Sequence, residues 1–194
     1  MSKDIAETVL RPHIPTLRAC MLDAWQQSLT VPYRLHYELR TKSGIVRDLI
    51  VANVKEKFAS VPDAKLINKK SLFFLKIDNY LIRFKKLDGN RLTKNYPTEQ
   101  ALALENQQLE IPECKGHIIL SAGYITDSFE TKIVSAALTC RNGASNEWEI
   151  MLGGVEHGIT VLPVQQQLDD ELLIRPKKEL MGKEKSSEPL QSKS

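Results

Sequence analysis

The segment Leu72-Phe-Phe-Leu-Lys-Ile-Asp-Asn-Tyr-Leu-Ile-Arg-Phe-Lys-Lys-Leu87 constrains the fold of this chain more than any other. Two apolar runs flank Asp78-Asn79, a pair that tolerates the positive φ of a tight hairpin turn. A two-residue loop forces the pairing: Ile77 opposite Tyr80, Leu75 opposite Ile82, Phe73 opposite Phe84. Those six residues share one face and make it wholly apolar. The other face carries Lys76 with Leu81, Phe74 with Arg83, and Leu72 with Lys85. A slip of one residue would mix the two sets, so the register is well specified.

Helices precede this hairpin. Leu17, Met21, Leu22, Ala24 and Trp25 recur at helical spacing after Pro12 and Pro15, which predicts a helix over 15–28. Ile45, Leu49 and Ala52, with Val46, Ile50, Val54 and Phe58, form adjacent stripes and predict a second over 43–59. Pro32 breaks the segment between them. Val61-Pro62-Asp63 ends the second.

After the hairpin, Asp88-Gly89-Asn90 reads as a turn, and Thr98 is placed to cap a short helix from Glu99 to Gln108. His117–Thr126, Thr131–Cys140 and Glu147–Leu152 read as strands with short links, hence as an antiparallel meander over 117–152. The sum is an α+β domain over residues 1–174: about five antiparallel strands, a basic hairpin (71–87) plus the meander, with the N-terminal helices on one face. From Arg175 the chain is Lys, Glu, Ser and Gln with two prolines, and 175–194 is expected to be a disordered tail.

Charge supplies the first functional signal. Between Lys65 and Asn95 stand nine cations and two acids, +7 in a chain whose net charge is +3, so the remainder is acidic in balance. Segregation of this kind attracts phosphates, acidic proteins or anionic headgroups. Lys76, Arg83 and Lys85 project from one face of the predicted hairpin beside Phe74, and Lys70 extends the row. Cations there would neutralise phosphates while an aromatic stacks on an unpaired base. Lysines on a hairpin also block edge-to-edge aggregation, so the pattern has a structural reading too.

Other chemistry finds less support. His13, His36, His117 and His157 are scattered, with no zinc-ligand spacing, and no cofactor motif is present. Cys20, Cys114 and Cys140 are odd in number and far apart, which predicts reduced thiols. Gly153-Gly154-Val-Glu-His-Gly158 lacks the Lys-Ser/Thr of a phosphate-binding loop. Acid-x-Lys tripeptides occur at Asp63–Lys65, Glu113–Lys115 and Glu130–Lys132. Only the last opens a predicted strand, which makes Glu130 and Lys132 weak candidates for a magnesium-dependent nuclease. No apolar run reaches membrane-spanning length, the N-terminus lacks a signal-peptide pattern, and the expected location is cytoplasmic.

One resemblance bears on context. Ile82-Arg-Phe-Lys-Lys-Leu-Asp88, Asn95-Tyr-Pro-Thr-Glu-Gln-Ala101, Ser121-Ala-Gly-Tyr-Ile-Thr-Asp127 and Trp148-Glu-Ile resemble an uncharacterised bacterial family. Its members are often encoded beside a helix-turn-helix regulator fused to a metallopeptidase-like domain, a layout similar to toxin–antitoxin pairs. The resemblance implies a genetic context and carries over no functional residue. Two expectations arise from the charge pattern and this context. One is a toxin-like or defence-associated protein acting through its basic hairpin and neutralised by a partner protein. The alternative is a nucleic-acid-binding accessory protein.

Overall fold

The computed structural model describes residues 2–69, 72–93, 98–108 and 115–154. The chain divides into two units, Met1–Thr160 and Val161–Ser194. The second unit, and with it the tail over 175–194, lies outside the described residues, as do Lys70 and Cys114.

Three helices lead. Helix α1 spans Lys3–Leu10, α2 Ile14–Leu29 and α3 Leu39–Lys57. Pro12 and Pro15 lack the N–H that would continue α1. Pro12 stands instead in the first turn of a short 3-10 helix, and Pro15 in the first turn of α2. Helices α2 and α3 pack together, and buried Asn53 donates from Nδ2 to the Cys20 carbonyl at 3.2 Å. The Lys57–Asp23 ion pair closes the same seam. Both expected helices are present, with α3 starting earlier than the apolar stripes suggested.

Six strands form one sheet in chain order: β1 Ala64–Lys69, β2 Leu72–Ile77, β3 Tyr80–Lys86, β4 Ile118–Thr126, β5 Ile133–Asn142 and β6 Ser145–Gly154. The hairpin has the register its sequence demands, with Leu75↔Ile82, Lys76↔Leu81 and Ile77↔Tyr80. Asp78 takes φ 49° in the turn. Strands β4, β5 and β6 form the expected antiparallel meander.

Two expectations are corrected. Strand β1 adds a sixth strand, pairing Ile67 with Phe74 and Lys69 with Leu72. Strand β4 runs parallel to β3, from Tyr80↔Ile118 to Lys86↔Tyr124, so the sheet is mixed. A parallel neighbour requires a long crossover, usually helical. The connection from Leu87 to His117 supplies it and contains α4, Glu99–Glu105, capped by Thr98 Oγ1 accepting from Ala101 N at 3.2 Å.

Both faces of the sheet are covered. On one lies the main core, where Phe73, Leu75, Ile77, Tyr80, Ile82 and Phe84 meet α2 and α3 residues, Tyr124, Leu138 and Trp148. On the other, Leu104 of α4 packs with Ile67, Phe74, Leu81 and Ile119. No helix among the described residues is long and apolar enough to cross a membrane.

Candidate anion-binding cleft

The face expected to offer Phe74, Lys76, Arg83 and Lys85 to a ligand is largely occupied by the protein itself. Phe74 is 0% exposed and Arg83 5%. Phe74 therefore has no free ring face on which a base could stack. The cause is α4, which lays Leu104 over Phe74, Leu81 and Ile119. Lys76 and Lys85 remain half-buried at the margins of this layer, and Lys70 lies outside the described residues.

Beneath that layer runs a polar network. Arg83 donates from Nε to Ser121 Oγ at 2.9 Å and from Nη2 to Thr93 Oγ1 at 3.2 Å. Its position opposite Ser121 comes from the parallel register of β3 and β4. Arg141 donates to the Thr93 carbonyl at 3.1 Å and pairs with Glu105 at 2.9 Å. Gln107 closes the network: Nε2 donates to the carbonyls of Ile119 and Arg141, and Oε1 accepts from Ile119 N at 2.7 Å. One side-chain amide thus completes the ladder where β4 begins.

Two adjoining clefts open at the ends of this arrangement. The smaller, of about 360 Å³, is walled by Phe74, Leu104 and Ala101, with Arg47, Arg83 and Lys85 in its lining. The wider, of about 820 Å³, lies between the first turns of α3 and the carboxyl ends of β3 and β4. Arg40, Ser43, Gly44 and Arg47 line it at a spacing that shares one helix face. Lys85, Lys86, Ile125 and Thr126 line it from the strands. The carboxyl ends of parallel strands are where open sheets that contain them receive ligands. Arg47 and Lys85 line both clefts.

The electrostatics have one sign. Among the described residues the single carboxylate lining either cleft is that of Asp88. Its Oδ1 already accepts from Asn90 N and Leu92 N, both at 2.9 Å. Lys86 is paired with Glu130, and Arg47 with its exposed neighbour Asp48. Lys85, half-buried, faces Arg83, Arg47 and Glu105. Burial pushes its ammonium below the usual lysine range, Arg83 and Arg47 add to this, and Glu105 opposes it. Burial likewise lowers the Arg83 guanidinium to about 10, which leaves it charged at neutral pH.

The nuclease candidates are not assembled into a site. Glu130 is held by Lys86, and Lys132 is an exposed residue of the β4–β5 loop. Asp127 organises that loop by accepting from Thr131 N at 2.7 Å, Thr131 Oγ1 at 2.6 Å and Lys132 N at 3.1 Å. Among the described residues no three of His, Cys, Asp and Glu converge to hold a metal ion. Cys20 and Cys140 are buried free thiols, pushed up by burial to about 11 and about 12.

Arg40 and Arg47 were not singled out in the sequence. Their signal was the Arg40-x-x-Ser43-Gly44-x-x-Arg47 spacing, legible once α3 is known to begin at Leu39. No protein-family model, curated protein or solved structure matches this chain.

Proposed function

We propose that the protein binds nucleic acid, with the phosphates of a single strand following Arg40, Arg47 and Lys85 through the paired clefts. One observation carries this reading: Arg47 and Lys85 stand in the lining of both clefts, which hold three or more cations and, among the described residues, the single carboxylate of Asp88. A cation kept half-buried costs stability, which a polyanionic ligand offsets on binding. The surface is suited to the sugar-phosphate track rather than to base stacking, because Phe74 is sealed under α4. Binding to an oligonucleotide, followed by fluorescence anisotropy, should weaken linearly in log salt. For three phosphate contacts on a single strand the slope is about two. Arg40→Glu, Arg47→Glu and Lys85→Glu together should abolish it. Binding that is absent, or indifferent to salt, overturns the reading.

A second reading is that of a toxin-like protein held in check by a partner. Exposed apolar residues, one of them in the lining of the wide cleft and the others near its lining residues in sequence, favour it. Leu39, 62% exposed, lines that cleft, Tyr33 and Leu35 immediately precede α3, and Phe129 adjoins the Glu130–Lys86 pair. Such a rim suits a protein that covers the cations. Tightly induced expression should then arrest bacterial growth, and the triple Glu variant at matched soluble level should not. Harmless expression of soluble, folded protein sinks this reading.

A further inference from the structure

The smaller cleft has a buried cation in its lining. Arg83 is 5% exposed and meets only hydroxyl oxygens, Ser121 Oγ through Nε and Thr93 Oγ1 through Nη2. The nearby carboxylate, Glu105, is paired with Arg141. Glu105 offsets part of the cost of burying the Arg83 charge without pairing with it directly, and an anionic group in the cleft would offset more. Arg83 lines the cleft of about 360 Å³ together with Lys85 and Arg47, and among the described residues no acid lines that cleft. Phe74 and Leu104 supply apolar wall to the cleft. Thr98 and Gln100 add polar groups at its lining.

Three cations and a small volume select among phosphates. An internal phosphodiester carries one charge and is flanked by a sugar on each side. A phosphomonoester carries nearly two charges at neutral pH, its second pKa being about 6, and has three terminal oxygens for a guanidinium fork and an ammonium. The volume stands at the lower end of small-ligand pockets, which run from about 300 Å³. It suits one phosphate and the sugar that bears it.

We infer that the Arg83–Lys85–Arg47 cleft is a phosphomonoester site that receives the terminal phosphate of a nucleic-acid strand. The inference rests on the nucleic-acid reading and places the strand end: it enters the smaller cleft, and the next phosphates lie along the wider one. Free nucleotide offers the same group, so strand end and mononucleotide are separated by experiment.

The experiment compares, on the full chain, one oligonucleotide with a 5′-phosphate, a 3′-phosphate or neither, with adenosine monophosphate and inorganic phosphate as further probes. One of the two phosphorylated strands should bind at least about tenfold more tightly than the unphosphorylated strand at pH 7.5. The advantage should shrink below about pH 6, where the monoester loses its second charge. Ala101→Phe, which fills the cleft from α4, should erase the advantage. Lys85→Gln should reduce it in a protein whose melting confirms the fold, which guards against misfolding of Ala101→Phe. Equal binding of all three strands overturns the terminal-phosphate site while leaving the nucleic-acid reading intact. Binding of adenosine monophosphate that depends on Lys85, with no strand bound, overturns the strand reading and makes the site one for mononucleotides. If no probe binds, both fall.

Discussion

Arg83 and Arg141 donate to the same oxygen, Thr93 Oγ1, at 3.2 and 3.3 Å. Two guanidinium groups of like charge therefore meet across one hydroxyl, with Glu105 paired directly to Arg141 and acting on Arg83 from farther off. The arrangement fixes where the crossover chain returns over the sheet and where Arg83 points. Thr93→Val keeps the shape and removes the shared acceptor, leaving Arg83 Nη2 unmatched while Arg141 Nη1 keeps the Thr93 carbonyl and Glu105. The expected loss is about 1–3 kcal/mol in urea unfolding, with Thr93→Ser near wild type. A Val variant of unchanged stability would mean that the hydroxyl is not the group that holds the pair.

Lys85 should trade stability for binding. Its ammonium is half-buried beside Arg47 and Arg83, and its pKa lies below that of the unfolded chain. The folded state thus binds fewer protons than the unfolded state between those two values. The cost of burying the charge is present below the folded pKa and is relieved as pH rises through it toward 10.5. Lys85→Met should therefore melt higher than wild type at pH 7, and the gap should narrow in the alkaline window. Oligonucleotide affinity of the same variant should fall. A variant that melts lower at pH 7 would show that Lys85 contributes packing instead.

How much of this was legible in the sequence depends on the range of the interaction. The hairpin was legible because its register is set by a two-residue turn and an apolar alternation that tolerates no slip. The burial of Phe74 and Arg83 was not, because it depends on α4, which comes later in the chain and packs back across the parallel pair. Short links correctly made β4 to β6 antiparallel. The long Leu87–His117 connection was the available sign of a parallel crossover at β4. Strand β1 was hidden among its lysines, since Lys65 and Lys69 are exposed at the sheet edge while Ile67 is buried. Arg40 and Arg47 fell outside the predicted basic segment and reach the site only through the placement of α3.

Gly44 separates fold from site. It stands in the second turn of α3, in the lining of the wide cleft, and a Cβ built there meets nothing within 4 Å. Glycine inside a helix costs roughly 0.5–1 kcal/mol relative to alanine. Gly44→Ala should therefore raise stability by about that amount and leave oligonucleotide binding in place. Gly44→Glu should fold as well as wild type yet bind strands several-fold more weakly, because it sets a carboxylate among Arg40, Arg47 and Lys85. Equal affinity for the Ala and Glu variants would remove the wide cleft from the binding surface.

Gly123 is the tightest point of the parallel pair. It lies opposite Lys85 in β3, and a Cβ there would stand 2.4 Å from Leu87 Cγ and 2.7 Å from the Lys85 carbonyl oxygen. Leu87, buried and donating from its N–H to the Tyr124 carbonyl at 2.9 Å, lies down on this bare backbone. That contact anchors the Asp88–Leu92 turn, in which Asp88 N donates to the Leu92 carbonyl at 2.9 Å, and the bridge from Leu87 to Thr93. Gly123→Ala should cost about 1–3 kcal/mol, since the clash includes backbone as well as side chain. It should also weaken strand binding, because Leu87, Asp88 and Gly89 line the wide cleft. The double-mutant cycle with Leu87→Ala gives the decisive number. If Leu87 is what the new methyl meets, the combined loss will fall short of the sum by more than about 0.5 kcal/mol, and additive losses would place the strain at the Lys85 carbonyl alone.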